Sequence, residues 1–315
     1  MTVGIVVIGR NEGARLAACL KSVRAAYADQ AAVYVDSASR DCSCEIAEAY
    51  RVRVLRLDAS TPLTAARARN CGAQALLQEW PNIAYLQFID GDTCVHADWI
   101  SHAMEYMEQH DYVGAACGRR RERNPSASIY DFLADMEWNT PVGQTEEFGG
   151  DVLMRAEVFR KLHGYRTDFI AGEEPELAAR MRLAGYHVVR LNHEMTLHEM
   201  GMTRFSQWFR RAMRSGHSIA QLYHEHGRGP LKLYRRQWRS TWCWGLALPV
   251  GGPLLMLRIA RRRLSRGDDR FEACVYAFFT AVAKVPQLMG MLRFYLNRVR
   301  RRESVLMEYK TMSAG

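Results

Sequence analysis

The acidic tripeptide Asp90-Gly91-Asp92 directly follows the apolar run of residues 84–89. A short apolar run of this kind predicts a buried strand of a parallel sheet, and open α/β sheets bind ligands at the carboxyl ends of their strands. Two carboxylates one residue apart repel each other unless a positive charge lies between them. Because Mg²⁺ binds one or two carboxylates together with substrate phosphates, the tripeptide predicts a divalent-metal site. A plain Asp-Gly turn is the alternative.

Strand and helix patterns alternate along the first 117 residues and would position this tripeptide. Predicted strands cover residues 3–8, 32–35, 52–57, 84–89 and 112–117, and predicted helices cover residues 14–25, 44–50, 63–77 and 97–109. This alternation predicts an α/β fold with a doubly wound, mostly parallel sheet. The loop from Gly9 to Gly13 has neither the GxGxxG nor the Walker spacing, so a glycine-rich phosphate loop is not expected.

Further along, the alternation is less regular. The charged run 119–123 is expected to be a solvated loop, and residues 128–138 form an amphipathic segment. Additional elements are predicted at residues 152–154, 156–162, 175–184 and 186–191, the last of these a strand.

The charge of the chain is unevenly distributed. The 315 residues have a net charge of +9, but residues 1–200 carry 21 Lys+Arg and 28 Asp+Glu, whereas residues 201–315 carry 22 and 6. The net charges are therefore −7 and +16. Such a division indicates an acidic catalytic body joined to a segment that meets an anionic surface.

The cysteines and the N-terminus bear on the compartment. Eight cysteines are scattered without a CxxC pair or a Cys/His cluster, so a zinc site is not expected. The N-terminus enters the first strand pattern without a charged leader region, which argues against a signal peptide. Both features favour a catalytic body in a reducing cytosol.

The basic segment contains apolar stretches that could meet a membrane. Residues 205–223 have the spacing of an amphipathic helix, and residues 242–259 are almost uncharged. The Gly/Pro cluster at 249–253 is expected to break that second stretch midway. Residues 271–296 are apolar but interrupted by charged residues and a proline. These features predict interfacial or re-entrant helices at the cytoplasmic face of the plasma membrane, with a buried helical hairpin as the alternative.

Several segments, taken in order, resemble the family-2 glycosyltransferases, which have a GT-A fold. The segments that match the nucleotide-binding half of that family are Val6-Val7-Ile8-Gly9-Arg10-Asn11-Glu12, Val35-Asp36-Ser37-Ala38-Ser39-Arg40-Asp41, Ala66-Arg67-Ala68-Arg69-Asn70-Cys71-Gly72 and Phe88-Ile89-Asp90-Gly91-Asp92. Those that match its acceptor half are Phe148-Gly149-Gly150 and Gly172-Glu173-Glu174-Pro175-Glu176-Leu177. The resemblance covers about residues 2–200. It implies a nucleotide-sugar half at 1–120, an acceptor half at 121–203 and a membrane-associating region at 204–315.

The resemblance also implies a donor site. Its residues are Arg10, Asn11, Glu12, Asp36, Arg69, Asp90 and Gly91. Asp36 lies where the family binds the nucleobase, and a carboxylate can accept the imide N–H of uracil. A turn-forming aspartate is the alternative. Arg69 would approach the diphosphate from a helix, with an exposed helical arginine as the alternative.

For the metal, the resemblance implies Asp92 as the principal ligand, with Asp90 sharing the site. His198 follows the last predicted strand of the body, where a GT-A fold often supplies a third ligand, and His193 is its competitor. Imidazole suits Mn²⁺ better than Mg²⁺. A cation that bridges both phosphates would neutralise the charge that develops on the leaving nucleoside diphosphate.

The catalytic base is implied at Glu173-Glu174. Inverting transfer requires a carboxylate that takes the proton of the acceptor hydroxyl, and the family usually carries Glu-Asp here with the second acid as the base. Glu174 therefore inherits the role, and the extra methylene leaves Glu173 open as well. Alternatively, both acids merely favour a helix N-terminus.

The acceptor site is implied at Gly149 and Gly150, and Trp138 could stack on a sugar ring unless it is a core residue. Processive members of the family carry a Gln-x-x-Arg-Trp motif. Here Gln207-Trp208-Phe209-Arg210-Arg211 lacks its spacing, so addition of a single sugar is favoured.

The sequence thus predicts an inverting, metal-dependent glycosyltransferase that moves one sugar from a nucleoside diphosphate, UDP being favoured, to a polyprenyl-linked glycan or glycolipid. A sugar-phosphate nucleotidyltransferase is the first alternative, but its glycine-rich loop with a signature lysine is missing. The second is a non-enzymatic basic protein that binds a membrane or nucleic acid. That alternative leaves the ordered acidic residues unexplained, so nucleic acid is not an expected partner.

Overall fold

The computed structural model describes residues 2–28 and 30–302, in which nine strands form one sheet. The strands are β1 (Thr2–Gly9), β2 (Ala31–Asp36), β3 (Arg53–Arg56), β4 (Ile83–Asp90), β5 (Thr93–Val95), β6 (Val113–Glu122), β7 (Gly143–Gln144), β8 (Val152–Arg155) and β9 (His187–His198). The helices are α1 (Ala14–Ala26), α2 (Ser43–Ala49), α3 (Ala65–Glu79), α4 (Trp99–Glu108), α5 (Ile129–Trp138), α6 (Ala156–Lys161), α7 (Glu173–Leu183), α8 (Phe205–His226), α9 (Arg235–Leu264), α10 (Arg270–Val282) and α11 (Lys284–Val299).

The sheet has a parallel part and a mixed part. Its strand order is β3-β2-β1-β4-β8-β6-β9-β5, with β7 added to β9. The first four strands are parallel, as is the long β6–β9 pair, whereas β8 runs antiparallel between β4 and β6. The predicted α/β fold with a mostly parallel sheet is confirmed. The carboxyl ends of β1, β2 and β4 therefore lie at the same edge.

The central strands are buried because helices cover the sheet. Ile5, Val6 and Val7 of β1 have no exposed surface. Helix α3 approaches this strand most closely at Gly72, where an added Cβ would lie 2.5 Å from a methyl carbon of Val6. Since that helix carries Arg69, the close approach also sets how far Arg69 reaches along the sheet.

The prediction of a solvated loop at residues 119–123 was wrong for most of that run. Residues 119–122 are the end of β6 and pair with β9. Charged side chains are tolerated in this strand because long-range partners neutralise them: Arg119 lies 2.7 Å from Asp135, and Arg121 lies 2.7 Å from Glu194. Neither partner is close in sequence, so the charged run alone resembles a loop.

The expectation that prolines break the second apolar stretch was also wrong. Helix α9 runs from Arg235 to Leu264 with Pro249 and Pro253 inside it. A proline removes one helical hydrogen bond and crowds the preceding turn, but packing of α9 against α10 and α11 maintains the helix. Two stretches, Arg235–Leu264 and Arg270–Val299, are long and apolar enough to cross a membrane by length and composition, which is weak evidence of spanning.

The C-terminal helices pack closely on the rest of the molecule. Helices α8 and α11 are in backbone contact, because an added Cβ on Gly216 would collide with the carbonyl of Gln287 and one on Gly290 with that of Met213. Two glycines thus bring α11 against α8, and α8 in turn packs beside α7 through Gly172 and Ser218.

We expect Gly72→Val to lower the free energy of unfolding by about 1–3 kcal/mol, the usual cost of overpacking a core. The stiff side chains of Val6 and Val35 at this contact leave no room for a Cβ. Urea denaturation of both proteins measures the effect. Gln74→Val, at an exposed position of the same helix, is the control and should change stability by no more than about 0.5 kcal/mol. Equal effects of the two changes would contradict the close approach of α3.

Candidate active site

A buried guanidinium lies at the centre of the acidic residues. The Nη1 atom of Arg69 lies 2.9 Å from Glu173 Oε1 and 3.3 Å from Glu174 Oε1, and its Nη2 atom lies 3.1 Å from Asp90 Oδ1. Only 3% of the Arg69 side chain is exposed, so it is not an exposed helical arginine. The Arg69 guanidinium thus holds together a carboxylate from the end of β4 and two from the start of α7.

The tripeptide after β4 is held by the neighbouring strands. The amide of Gly91 donates to the carbonyl of Ile8 at 2.7 Å, and the amide of Asp90 donates to Asp151 Oδ1 at 3.0 Å. The hydroxyl of Thr93 donates back to the carbonyl of Asp90 at 2.8 Å. These bonds fix the turn at the carboxyl edge of the sheet.

Sequence reasoning missed Arg120 and Asp151. Both terminal nitrogens of Arg120 lie 3.4 Å from Asp90 Oδ2, and its Nη1 lies 3.4 Å from the fully buried Asp151. Asp90 is therefore held between two arginines, Arg69 and Arg120. Asp151 could have been noticed because it follows Gly149-Gly150 directly, whereas Arg120 has no local pattern that separates it from the arginines around it.

His198 lies beside Asp92. Its Nε2 atom lies 3.3 Å from Asp92 Oδ2, and its Nδ1 atom lies 3.4 Å from Oε2 of the buried Glu122. Burial, and then the Arg120 guanidinium, lower the pKa of His198, which favours the neutral imidazole. The competitor His193 lies elsewhere, 3.2 Å from Asp98 and stacked on His102.

Asp92 and His198 form a pair of donors that fits a divalent cation. Asp92 lines the cleft and His198 supplies a neutral nitrogen, the form that binds metals. Within residues 2–28 and 30–302, no group of three His, Cys, Asp or Glu side chains could enclose a metal. A site with two protein ligands leaves positions for phosphate oxygens, which is how Mg²⁺ sites of phosphate-binding enzymes are completed. Asp90 has a different environment, because one of its carboxylate oxygens faces Arg69 and the other faces Arg120.

Glu174 has the electrostatics of a base that works near neutral pH. Burial, and then repulsion from Glu173, raise the pKa of Glu174 to about 7, although Arg69 opposes the shift. Gly172 caps α7 with φ of 90°, and this left-handed conformation turns the chain so that both glutamates begin the helix. The position of Glu173 and Glu174 at a helix N-terminus is therefore compatible with a catalytic role for them.

These groups surround one open cleft of about 650 Å³. The predicted residues that line it are Arg10, Asn11, Glu12, Arg69, Asp90, Gly91, Asp92, Glu173 and Glu174. The first loop is fixed by Asn11. Its side-chain Oδ1 accepts a hydrogen bond from the backbone amide of Arg40 at 2.7 Å, and its backbone amide donates to the hydroxyl of Ser39 at 2.9 Å. The first β-α loop and the two acidic segments thus face the same space.

The C-terminal helices form the remaining wall, which sequence reasoning also missed. Helix α8 contributes Trp208, Arg211, Arg214, Ser215 and Ser218, and Gln287 of α11 joins them. Residues after 203 therefore shape the cleft. The amphipathic pattern of α8 predicts a buried face but does not indicate what that face meets.

Asp36 lies next to the cleft without lining it. The residue is 2% exposed, and its carboxylate accepts hydrogen bonds from the amide of Ser39 at 2.9 Å and the hydroxyl of Tyr34 at 3.2 Å. The next residue, Ser37, does line the cleft. The hydrogen bond from the Ser39 amide is the one expected if Asp36 forms a turn, which was the alternative interpretation.

The three residues implied for the acceptor differ in their surroundings. The ring centroid of Trp138 lies 4.9 Å from the Arg120 guanidinium and 4.8 Å from the His198 ring. Gly150 lies against Asp90 and Arg69, where any Cβ would collide. Gly149 is exposed, and a Cβ there would meet nothing within 4 Å.

Known proteins match both the sequence and the fold. The model of glycosyl transferase family 2 matches residues 4–163, and a model of the N-terminal domain of galactosyltransferase matches residues 132–204. The mannosyltransferase PcManGT from Pyrobaculum calidifontis, solved with GDP-Man and Mn²⁺, is similar with a TM-score of 0.63 and 17% identity over 96% of this chain and 88% of its own. TarS 1–349 from S. aureus with UDP-GlcNAc is similar with a TM-score of 0.52 and 12% identity over 89% and 90%.

No curated protein matches the sequence. The two structures share the fold at identities too low to show more. The family model, however, covers half of the chain and ends beyond the strand that carries the acidic tripeptide. The protein therefore belongs to glycosyl transferase family 2, and it is a glycosyltransferase of GT-A fold.

Proposed function

We propose that the protein is an inverting, metal-dependent glycosyltransferase that transfers a single sugar to a hydroxyl of a lipid-linked glycan or glycolipid at the cytoplasmic membrane face. The observation that carries this proposal is the position of Arg69, which joins Asp90 of the donor side to Glu173 and Glu174 in the cleft that contains Asp92. This arrangement supports a proposed diphosphate site and a candidate base that share one centre.

In the proposed reaction the acceptor hydroxyl attacks the anomeric carbon as Glu174 takes its proton. The new bond joins the acceptor oxygen to that carbon, and the bond to the nucleoside diphosphate breaks on the opposite side, which inverts the configuration. A pKa of about 7 for Glu174 allows it to accept a proton at neutral pH and still be an effective base. Arg69 holds both glutamates in place for this step.

Asp92 and His198 would hold Mn²⁺ or Mg²⁺, which when bound would neutralise negative charge on the leaving diphosphate. Glu122 orients the His198 ring through Nδ1 and so directs Nε2 towards Asp92. Asp90 keeps its position through Arg69 and Arg120 and remains available for the ribose or the donor sugar.

For the nucleotide, UDP is favoured because Asp36 lies beside the cleft and a carboxylate can accept the imide N–H of uracil. The two oxygens of Asp36 already accept bonds from Ser39 and Tyr34, but each carboxylate oxygen can accept more than one. The two similar structures contain GDP-Man and UDP-GlcNAc, so the fold itself accommodates either base.

The membrane part of the proposal rests on the exposed faces of the last helices. Apolar side chains with at least 39% exposure line these faces: Leu246, Val250, Leu254, Leu257, Phe271, Phe278, Val285, Met289, Leu292 and Leu296. Their spacing of mostly three, four or seven residues places those of each helix on one side. An interfacial position is favoured over a spanning one, because α11 also packs on α8 and supplies Gln287 to the cleft.

We expect Asp92→Asn to abolish transfer and to weaken metal-dependent nucleotide binding while the fold survives. The amide keeps the shape of the side chain but loses the charge that a cation requires. Release of nucleoside diphosphate from nucleotide sugars with Mn²⁺ measures the activity, and calorimetry measures the binding. Asp111→Asn, at a 99% exposed carboxylate away from the cleft, is the control. Near-normal turnover of Asp92→Asn would refute the metal ligand, and release of pyrophosphate by the wild type would indicate a nucleotidyltransferase.

We expect Glu174→Gln to lower kcat by a factor of at least ~10² with little change in donor affinity, as for the loss of a general base. In the wild type the rate should rise as pH increases through about 7, because the protonated carboxyl cannot accept a proton below that value. Glu174→Gln should lose this rise. Glu173→Gln, measured over the same pH range, provides the comparison. If Glu173→Gln removes the pH-dependent rise and Glu174→Gln does not, Glu173 is the base.

We expect the double change Val250→Asp and Leu254→Asp to lower partition onto anionic liposomes at least ~10-fold, since burial of each such side chain is worth about 1.5–3 kcal/mol. Sedimentation with liposomes measures the partition at low and high salt, because salt screens only the contribution of the arginines. Leu183→Asp, at an exposed leucine of α7, is the control. Equal sedimentation of the double variant and the wild type would leave a plain helical subdomain as the better description.

A further inference from the structure

A second pocket of about 440 Å³ lies beside the β6–β9 pair, and none of its lining residues lines the cleft. Arg120 contacts Asp90 of the cleft, whereas its neighbours Arg119 and Arg121 line the second pocket together with Arg190 of β9. Three guanidiniums thus converge outside the active site.

Arg190 differs from the other two arginines of this pocket. Arg119 lies 2.7 Å from Asp135, and Arg121 makes two bonds to Glu194 at 2.7 and 2.8 Å. Arg190 is only 5% exposed, yet among the described residues its guanidinium has no hydrogen bond or ion pair, and its Nε atom is fully buried. A buried cation without a partner is costly, so a ligand that supplies negative charge would be bound favourably.

The surrounding charges compensate Arg190 only in part. Burial lowers the pKa of Arg190 and repulsion from Arg121 adds to the effect, although attraction from Glu194 opposes it. Two carboxylates also line the pocket, but Glu194 is bound by Arg121, and Asp98 is 64% exposed and bonded to histidines. Neither of them lies within ion-pair distance of Arg190.

We propose that this pocket binds an oxyanion, the phosphate or carboxylate group of a small ligand, with Arg190 as its principal contact. A guanidinium presents parallel N–H donors that match either group. Asn139 and Thr140 also line the pocket, and they directly follow Trp138, whose ring contacts Arg120 and His198 in the active site. A bound anion would therefore also hold the segment that follows this tryptophan.

The test measures thermal stability of the full-length protein in sodium phosphate and in sodium acetate, each against sodium chloride at equal ionic strength. A ligand that binds only the folded state raises Tm in a saturable manner. We expect such a rise in the wild type, and in Arg190→Met an affinity lower by at least ~10-fold, as for the loss of a charge-assisted hydrogen-bonded pair. Without added anion, Arg190→Met should be at least as stable as the wild type, because an unpaired buried charge has been removed.

Two further variants make the test specific. Arg182→Met removes another arginine with unbonded buried nitrogens, outside the pocket, and should keep the wild-type response. Arg190→Lys keeps the charge and should retain part of the response even if Arg190→Met folds poorly. A response to phosphate alone indicates a phosphorylated ligand, and a response to acetate alone indicates a carboxylate. No response in the wild type, or an unchanged response in Arg190→Met, would overturn the proposal, whatever reaction the cleft performs.

Discussion

The ion pairs of Arg69 are the interaction on which the active site depends. Three carboxylates, those of Asp90, Glu173 and Glu174, lie within 3.3 Å of this one guanidinium. Burial raises the pKa of Glu174, and repulsion from Glu173 adds to the shift, because the single positive charge of Arg69 does not balance the carboxylates around it. The helix that carries Arg69 packs on β1, whereas the glutamates begin α7. The same contact therefore joins the proposed donor side of the cleft to its proposed acceptor side.

Local patterns were sufficient to predict the first part of the fold. The apolar runs of β1, β2 and β4 and the helices between them have the periodicities of buried strands and amphipathic helices, so they could be read without tertiary knowledge. The end of β6 could not be predicted in this way, because the residues that neutralise Arg119 and Arg121 are distant in sequence. The continuity of α9 through Pro249 also depends on neighbouring helices.

The same distinction separates the site residues that could be predicted from those that could not. Asp90, Asp92 and the two glutamates occur in short motifs at the ends of elements, where the residue types themselves indicate the chemistry. Arg120 reaches Asp90 only because β8 pairs with both β4 and β6. The contributions of α8 and α11 to the cleft depend on tight helix packing at Gly216 and Gly290, and no sequence motif indicates this packing.

Helix α8 connects the active site to the proposed membrane face. One side of it lines the cleft with Arg211 and Arg214, and another side is in backbone contact with α11. Backbone contact leaves no room for the two helices to shift against each other without breaking the packing. Helices that rest on a bilayer would therefore also fix the orientation of the cleft. A lipid-linked acceptor held at that bilayer would then meet a cleft of fixed orientation, in which Arg211 and Arg214 of α8 line the same space as Glu174.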